Sequence, residues 1–296
     1  MTARSAYAAH EALVAPARPK SQIWRLLAAI ALIAVVIYVL SFGAFMLMLQ
    51  AGSEVWLQHM IKGDTPLAML VILLTFFSMM LGVGLAARLL QHRSFVSLIG
   101  PASLFTRQFA RVFGGLVILL LVLLVLPPYD FGAPLVANLP WQLWLTLLPL
   151  SLGAVLVQVS AEELVFRGYL QQAFAARFQN PAIWLLLPSA LFGLLHYMPQ
   201  EAGDNAWLLC LWAMGFGVLT ADLTARAGTL GPAIAVHFFN NIVALLIVAS
   251  PSSLYGLSLY LLPYEMSDVD QLRPWLVVDC AMMLVSWLVA RLAIRR

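Results

Sequence analysis

The amino-acid sequence predicts an all-α, polytopic membrane protein of about eight transmembrane helices. Three observations carry this. Of the 296 residues, 63% are hydrophobic and 10% charged, whereas soluble domains are roughly half apolar and a quarter charged. The apolar residues fall in runs long enough to cross a hydrocarbon core, for which about 20 residues suffice. The 16 Lys and Arg residues also sort strongly to one side of those runs. Such runs leave no room for a second globular domain, so the chain reads as a tail over residues 1–22 and a single transmembrane domain over 23–296. Cys210 and Cys280 both lie inside apolar runs. This excludes a disulfide framework or a Cys-rich metal module and makes them packing residues. The net charge of +3 is dispersed and forms no like-charge block, so no nucleic-acid partner is expected. The lipid bilayer is the partner implied, and the sequence leaves the oligomeric state open.

Residues 1–21 are Ala-rich, carry Arg4, Arg18 and Lys20, and lack an A-x-A cleavage site before the first apolar run. They read as a cytoplasmic tail rather than a cleaved signal peptide. Spans are then expected at about 24–49, 66–90, 109–126, 141–160, 181–197, 206–225, 231–250 and 275–293. Their boundaries are marked by Gly63 to Pro66, Pro127-Pro128, Pro140, Asn180-Pro181, Gly231-Pro232 and Pro274, where proline starts or interrupts helices. The run at 181–197 is short and contains Pro188. One side of the membrane collects Arg4, Arg18, Lys20, Arg25, Arg88, Arg93, Arg107, Arg111, Arg167, Arg177, Arg226, Arg291, Arg295 and Arg296. The other side collects only Lys62 and Arg273. The basic side is expected to be cytoplasmic, placing both termini there, in a bacterial inner membrane. The opposite loops are acidic, with Glu54, Asp64, Asp130, Glu201, Asp204, Glu265, Asp268 and Asp270. Trp24, Trp56, Trp141, Trp144, Trp207 and Trp275 fall near span ends, as an interfacial belt requires.

An ionisable residue inside a membrane helix costs upward of about 2.5 kcal/mol and needs a partner or a task. Three clusters break the rule. In the first, Ser160 to Tyr169, Glu163 and Arg167 stand four apart on one helical face, while Glu162 projects about 100° away without that partner. An unpaired carboxylate in an apolar wall suits a general base, and an ordinary ion pair at a helix end is the alternative. In the second, His196 ends the apolar stretch Phe192-Gly193-Leu194-Leu195-His196, where by itself an interfacial or hydrogen-bonded core histidine is the more ordinary reading. In the third, which begins within two turns of Pro232, His237 and Asn241 share a face, with Asn240 beside them. They read as oxyanion donors or as interhelical hydrogen-bond glue. Together the residues suggest hydrolysis, with Glu162 and His196 holding and deprotonating water and His237 and Asn241 stabilising the tetrahedral oxyanion. A catalytic zinc on Glu162, His196 and His237 is the other chemistry for the same atoms. Ser160 and Cys210 lack a nucleophile elbow or a local base.

The stretches E-E-L-V-F-R-G at 162–168, F-G-L-L-H at 192–196 and H-F-F-N-N at 237–241 resemble the three motifs of the CPBP family. These are the type II CAAX prenyl endopeptidases and bacteriocin-processing or immunity proteins, and the likeness covers about 140–250. The resemblance implies an eight-helix intramembrane endopeptidase of glutamate type, its site between helices and open toward the cytoplasm, acting on a membrane-associated peptide or protein. It makes Glu162 the water-activating carboxylate with His196, makes His237 and Asn241 the oxyanion hole, and has Arg167 orient Glu163. It favours a reaction without a metal cofactor, with zinc the alternative. A membrane-embedded binding or regulatory protein of immunity type is the reading from another class. A transporter would show inverted repeats, and none is visible.

Two points of this layout are in tension. A helix rising about 1.5 Å per residue from 181 lifts His196 some 22 Å, while His237 is only about 9 Å along from 231. The two meet only if the helix around 181–197 is displaced or broken, or if 150–178 is one long helix. Asp279 in the last span has no assigned partner. Phe166, Tyr169, Phe192, Tyr197, Phe238 and Phe239 line a lipid-accessible groove or pack between helices.

Overall fold

The computed structural model describes residues 6–126 and 134–295. Arg4, Pro127, Pro128, Asp130 and Arg296, used above for boundaries and orientation, lie outside them. Each expected span is a helix. Six are long and apolar enough to cross a membrane: α1 (Ile23–Gln50), α2 (Pro66–Leu90), α3 (Ala102–Val125), α4 (Trp141–Arg177), α6 (Pro199–Ala227) and α8 (Val269–Ile294). Two are shorter, α5 (Pro181–Leu194) and α7 (Gly231–Ile247). The protein is an all-α integral membrane protein.

Local chemistry sets most of these ends. Thr65 accepts a hydrogen bond from Ala68 N and is followed by Pro66 in the first turn of α2. Asn180 accepts from Ala182 N before Pro181 at the start of α5, and Asp268 accepts from Asp270 N and Gln271 N at the start of α8. Each satisfies an amide that the first turn leaves without an intrahelical partner. Gly228, with φ of 69°, ends α6 in the left-handed conformation that glycine adopts without strain. Pro149, Pro188 and Pro274 all sit inside helices, so these prolines do not terminate them.

Several span limits differ from expectation. The third begins at Ala102 rather than 109, whereas the regular helix of the sixth begins at Ala206, as expected, with Pro199–Ala202 as a short helical turn ahead of it. The fourth continues through a π-helical stretch, Leu164–Leu170, to Arg177. That continuation resolves the tension in depth. From Phe166 up to Arg177 and back from Pro181 to Phe192, each limb rises about 16 Å. The hairpin of α4 and α5 therefore projects beyond the recessed start of α7, and Phe192 comes level with His237.

The two ends of the bundle differ in charge. At one end Arg93 donates to Leu13 O and Gln172 Oε1, Gln108 donates to Ala227 O, and Leu230 N donates to Ile99 O. At the other end Ser253 donates to Glu201, Arg273 donates to Asn205, and Leu254 N donates to Lys62 O. A small sheet lies there too, β1 (Val136–Ala137) antiparallel to β3 (Tyr260–Leu261), which runs parallel to β2 (Val248–Ala249). Lys62 and Arg273 thus share an end opposite the arginine-rich one, as their sequence positions imply.

The tail is folded against the basic end. Leu13 and Ala17 are fully buried and Val14 nearly so. Tyr7 donates to Asp222 Oδ1 at 2.7 Å, and its ring stands edge-on to Trp184. Asp222 also accepts from Arg226 and from Trp287, which ties the tail to α6 and α8.

Candidate active site

The first motif leaves α4 as an ordinary α-helix up to Glu163 and then widens into the π-helix Leu164–Leu170, a device common at functional sites. Glu163 and Arg167 keep their i, i+4 relation, with Arg167 Nη1 donating to Glu163 Oε1 at 3.1 Å. Glu163 is wholly buried and Arg167 almost so. The same Glu163 oxygen lies 2.8 Å from His237 Nδ1 on α7. Since a carboxylate only accepts, Nδ1 carries the proton of this bond. Nε2 on the other side of the ring then faces Glu162, 3.4 Å from its Oε2. His237 therefore stands between the two carboxylates.

One turn away the same helix pair makes a second contact. Asn241 Nδ2 donates to Gln158 Oε1 at 2.8 Å, and Asn240 Nδ2 donates to Asn241 Oδ1 at 3.2 Å. Gln158 precedes Glu162 by four residues, so α4 presents Gln158 and Glu162 to Asn241 and His237 in register. Sequence reading passed over Gln158; its signal was an uncharged polar residue on the Glu162 face of an apolar run. Asp222 was also passed over, although Arg226 follows it at the favourable i+4 spacing.

His196 stands just beyond the end of α5. Its Nδ1 bonds to Phe192 O at 2.8 Å, which leaves Nε2 as its free ring nitrogen. Among the described residues its ring meets Phe192, through this bond and by packing, whereas Glu162 is met by His237. Phe192 joins the clusters: its ring packs against His196 at 4.6 Å, His237 at 6.0 Å and Phe166 at 5.1 Å between centroids. Arg167 Cζ lies 4.8 Å from the same ring, a cation–π distance. Phe166, Tyr169, Phe192 and Phe238 are buried among the helices, so packing is their role; Tyr197 is exposed and Phe239 half-buried. Glu162, His196, Asn240 and Asn241 remain partly exposed, so the cluster has a solvent-facing edge beside a sealed interior of Glu163, Arg167 and His237. Glu162 Oε2 and Glu163 Oε2 are buried without a hydrogen-bond partner among the described residues. No group of three or more His, Cys, Asp or Glu side chains among the described residues is arranged to hold a metal ion. Asp279 stands on an exposed face of α8, remote from this cluster in sequence and contact.

Fold and site define a helical membrane protein whose interior holds two adjacent glutamates, a bridging histidine and an arginine. The comparisons agree. Residues 141–243 match the family model of type II CAAX prenyl endopeptidase, Rce1-like, and the matched stretch contains every residue of the cluster. The chain is also similar to the uncharacterized protein YyaK of Bacillus subtilis (strain 168), 29% identical over 179 residues. That match spans 59% of this chain and 59% of YyaK, so the likeness covers less than two thirds of either. No solved structure matches.

Proposed function

We propose that the chain is an intramembrane endopeptidase that hydrolyses a peptide bond in a membrane-associated or lipid-anchored peptide with water activated by Glu162. The observation that carries this reading is the buried chain Arg167–Glu163–His237–Glu162 within the Rce1-like segment. Arg167 fixes Glu163, and Glu163 fixes His237 through Nδ1, so that Nε2 is presented at the edge where Glu162 is accessible. Glu162, with His196 as second partner, holds water and takes its proton as the oxygen attacks the scissile carbonyl carbon. The carbonyl oxygen becomes an oxyanion and accepts from protonated His237 Nε2 and from the second amide hydrogen of Asn241. The intermediate collapses, the C–N bond breaks, and the leaving amine takes the proton from Glu162. The reaction uses no metal in this reading. The domain core spans about 140–250, and the basic end, with both termini, faces the cytoplasm of a bacterial inner membrane.

The test compares purified wild type with Glu162→Gln on a mixed pool of native membrane peptides, read by mass spectrometry with and without a chelator. Cuts that vanish in the variant and survive chelation are expected. Cuts abolished by chelator would instead assign zinc to Glu162, His196 and His237. A pool untouched by both proteins would favour a binding or regulatory protein of immunity type, in which Glu162→Gln leaves partner binding intact.

A further inference from the structure

A groove of about 920 Å³ opens on the outer face of α2 at the basic end, where Phe77, Leu81, Leu85 and Phe95 form an apolar channel leading to Arg88 and His92. The size lies within the range of ligand sites, roughly 300–1,000 Å³. None of the site residues described above lines it. Arg88 and His92 are exposed and make no side-chain hydrogen bond or ion pair among the described residues.

Two further observations point to an anionic occupant. Arg93 lines the same groove and is buried, yet its hydrogen bonds run only to neutral oxygens of Leu13, Gln91, Ser97 and Gln172. A buried cation normally has an anionic partner, and among the described residues no carboxylate is hydrogen-bonded to this one. Burial lowers its pKa to about 10, so it remains charged at neutral pH. His92 also adopts a φ of 53°, the left-handed position at which a helix end favours glycine, with Arg93 N closing the turn on Ala87 O. The chain thus places an imidazole at the groove mouth, at a position glycine would occupy with less strain.

We propose that this groove binds an anionic phospholipid, its phosphate at Arg88 and His92 within the field of Arg93 and one acyl chain along Leu81 and Leu85. The shape matches a membrane-face helix whose apolar flank ends in a basic rim at headgroup level.

Native mass spectrometry of the full chain, released in mild detergent with phosphatidylglycerol or phosphatidylcholine, tests this. Wild type is expected to retain phosphatidylglycerol at least tenfold over phosphatidylcholine. The double variant Arg88→Ala/His92→Gly, in which glycine preserves the turn, is expected to lose at least fivefold of that preference with unchanged circular dichroism. Leu81→Trp, at an exposed position, is expected to reduce retention of both lipids by filling the channel. Equal retention of the two lipids by wild type would overturn the proposal, as would the same loss in Arg177→Ala elsewhere on the basic end. Displacement by glycerol phosphate with Leu81→Trp silent would also overturn it, since the site would then take a free phosphate.

Discussion

Glu163 has no contact with solvent, and a buried carboxylate survives only when its partners are in place. Arg167 and His237 are those partners. Arg167→Met leaves Glu163 with His237 alone in an apolar interior, and breaking a buried pair in this way costs about 3–5 kcal/mol. Thermal unfolding in detergent should show a large fall in Tm, and unchanged melting would remove Arg167 from the relay. Glu162 is different, because its Oε2 makes no hydrogen bond that the fold depends on. Glu162→Gln should therefore keep Tm while losing activity by at least about 100-fold, as expected for a general base in the reaction. Gln158 acts through Asn241. Gln158→Leu should lower turnover about 10- to 100-fold by releasing the Asn241 amide, since misplacement of a reacting group by about 1 Å costs that much. The corresponding KM should change little and Tm should hold, the unchanged Tm separating this effect from partial unfolding, which would also lower turnover at constant KM.

Two elements carry more of the geometry than their length suggests. The helices α5 and α7 are short, and each delivers one histidine motif to the flank of α4. α5 reaches that position because it lies close against α6. A Cβ at Gly193 would stand 2.7 Å from Cys210 O and 2.8 Å from Met214 Cβ, and one at Gly217 2.9 Å from Ser189 Cβ. These small residues let the helices approach as membrane helix pairs do. Gly193→Val must push α5 away, withdrawing Phe192 from His237. Its Tm should fall and its activity should fall further than Tm accounts for, measured at a temperature where the variant remains folded. The π-helix Leu164–Leu170 follows the glutamate pair, and a second one, Val243–Ile247, follows Asn241. Neither is visible in the sequence, because π-helical backbone depends on packing rather than on residue type.

At the scale of the molecule, the folded tail and the uneven ends are the informative features. His10 is buried against Trp184, and its Nε2 has no hydrogen-bond partner among the described residues. Desolvation lowers its pKa from 6.5 to about 4, opposed by Glu11 and reinforced by Arg18. Between these values the unfolded segment binds a proton that the docked one does not, so docking weakens as pH falls. It should be at full strength above about pH 6.5 and decline until about pH 4. Hydrogen exchange over residues 6–20 should therefore accelerate between pH 7 and pH 5, after correction for intrinsic exchange, and His10→Phe should flatten the dependence. Orientation is open to a direct check. With Cys210 and Cys280 replaced by Ser, an impermeant thiol reagent on intact cells should label Ser253→Cys and leave Arg177→Cys unlabelled. The reverse pattern would invert the proposed topology.

Much of this architecture was legible in the chain itself. Apolar runs, prolines at helix starts and the distribution of Lys and Arg located the eight helices and separated the two ends, since a bilayer imposes helix length and charge sidedness on sequence directly. The spacing of Glu163 and Arg167 was equally readable, because an i, i+4 pair lies within one helix. Contacts between helices were not. That His237 joins both glutamates, that Gln158 holds Asn241, and that Phe192 seats both histidine motifs depends on how far the α4–α5 hairpin projects and how deeply α7 begins. Those offsets are set by side-chain packing between elements distant in sequence, and no local pattern records them.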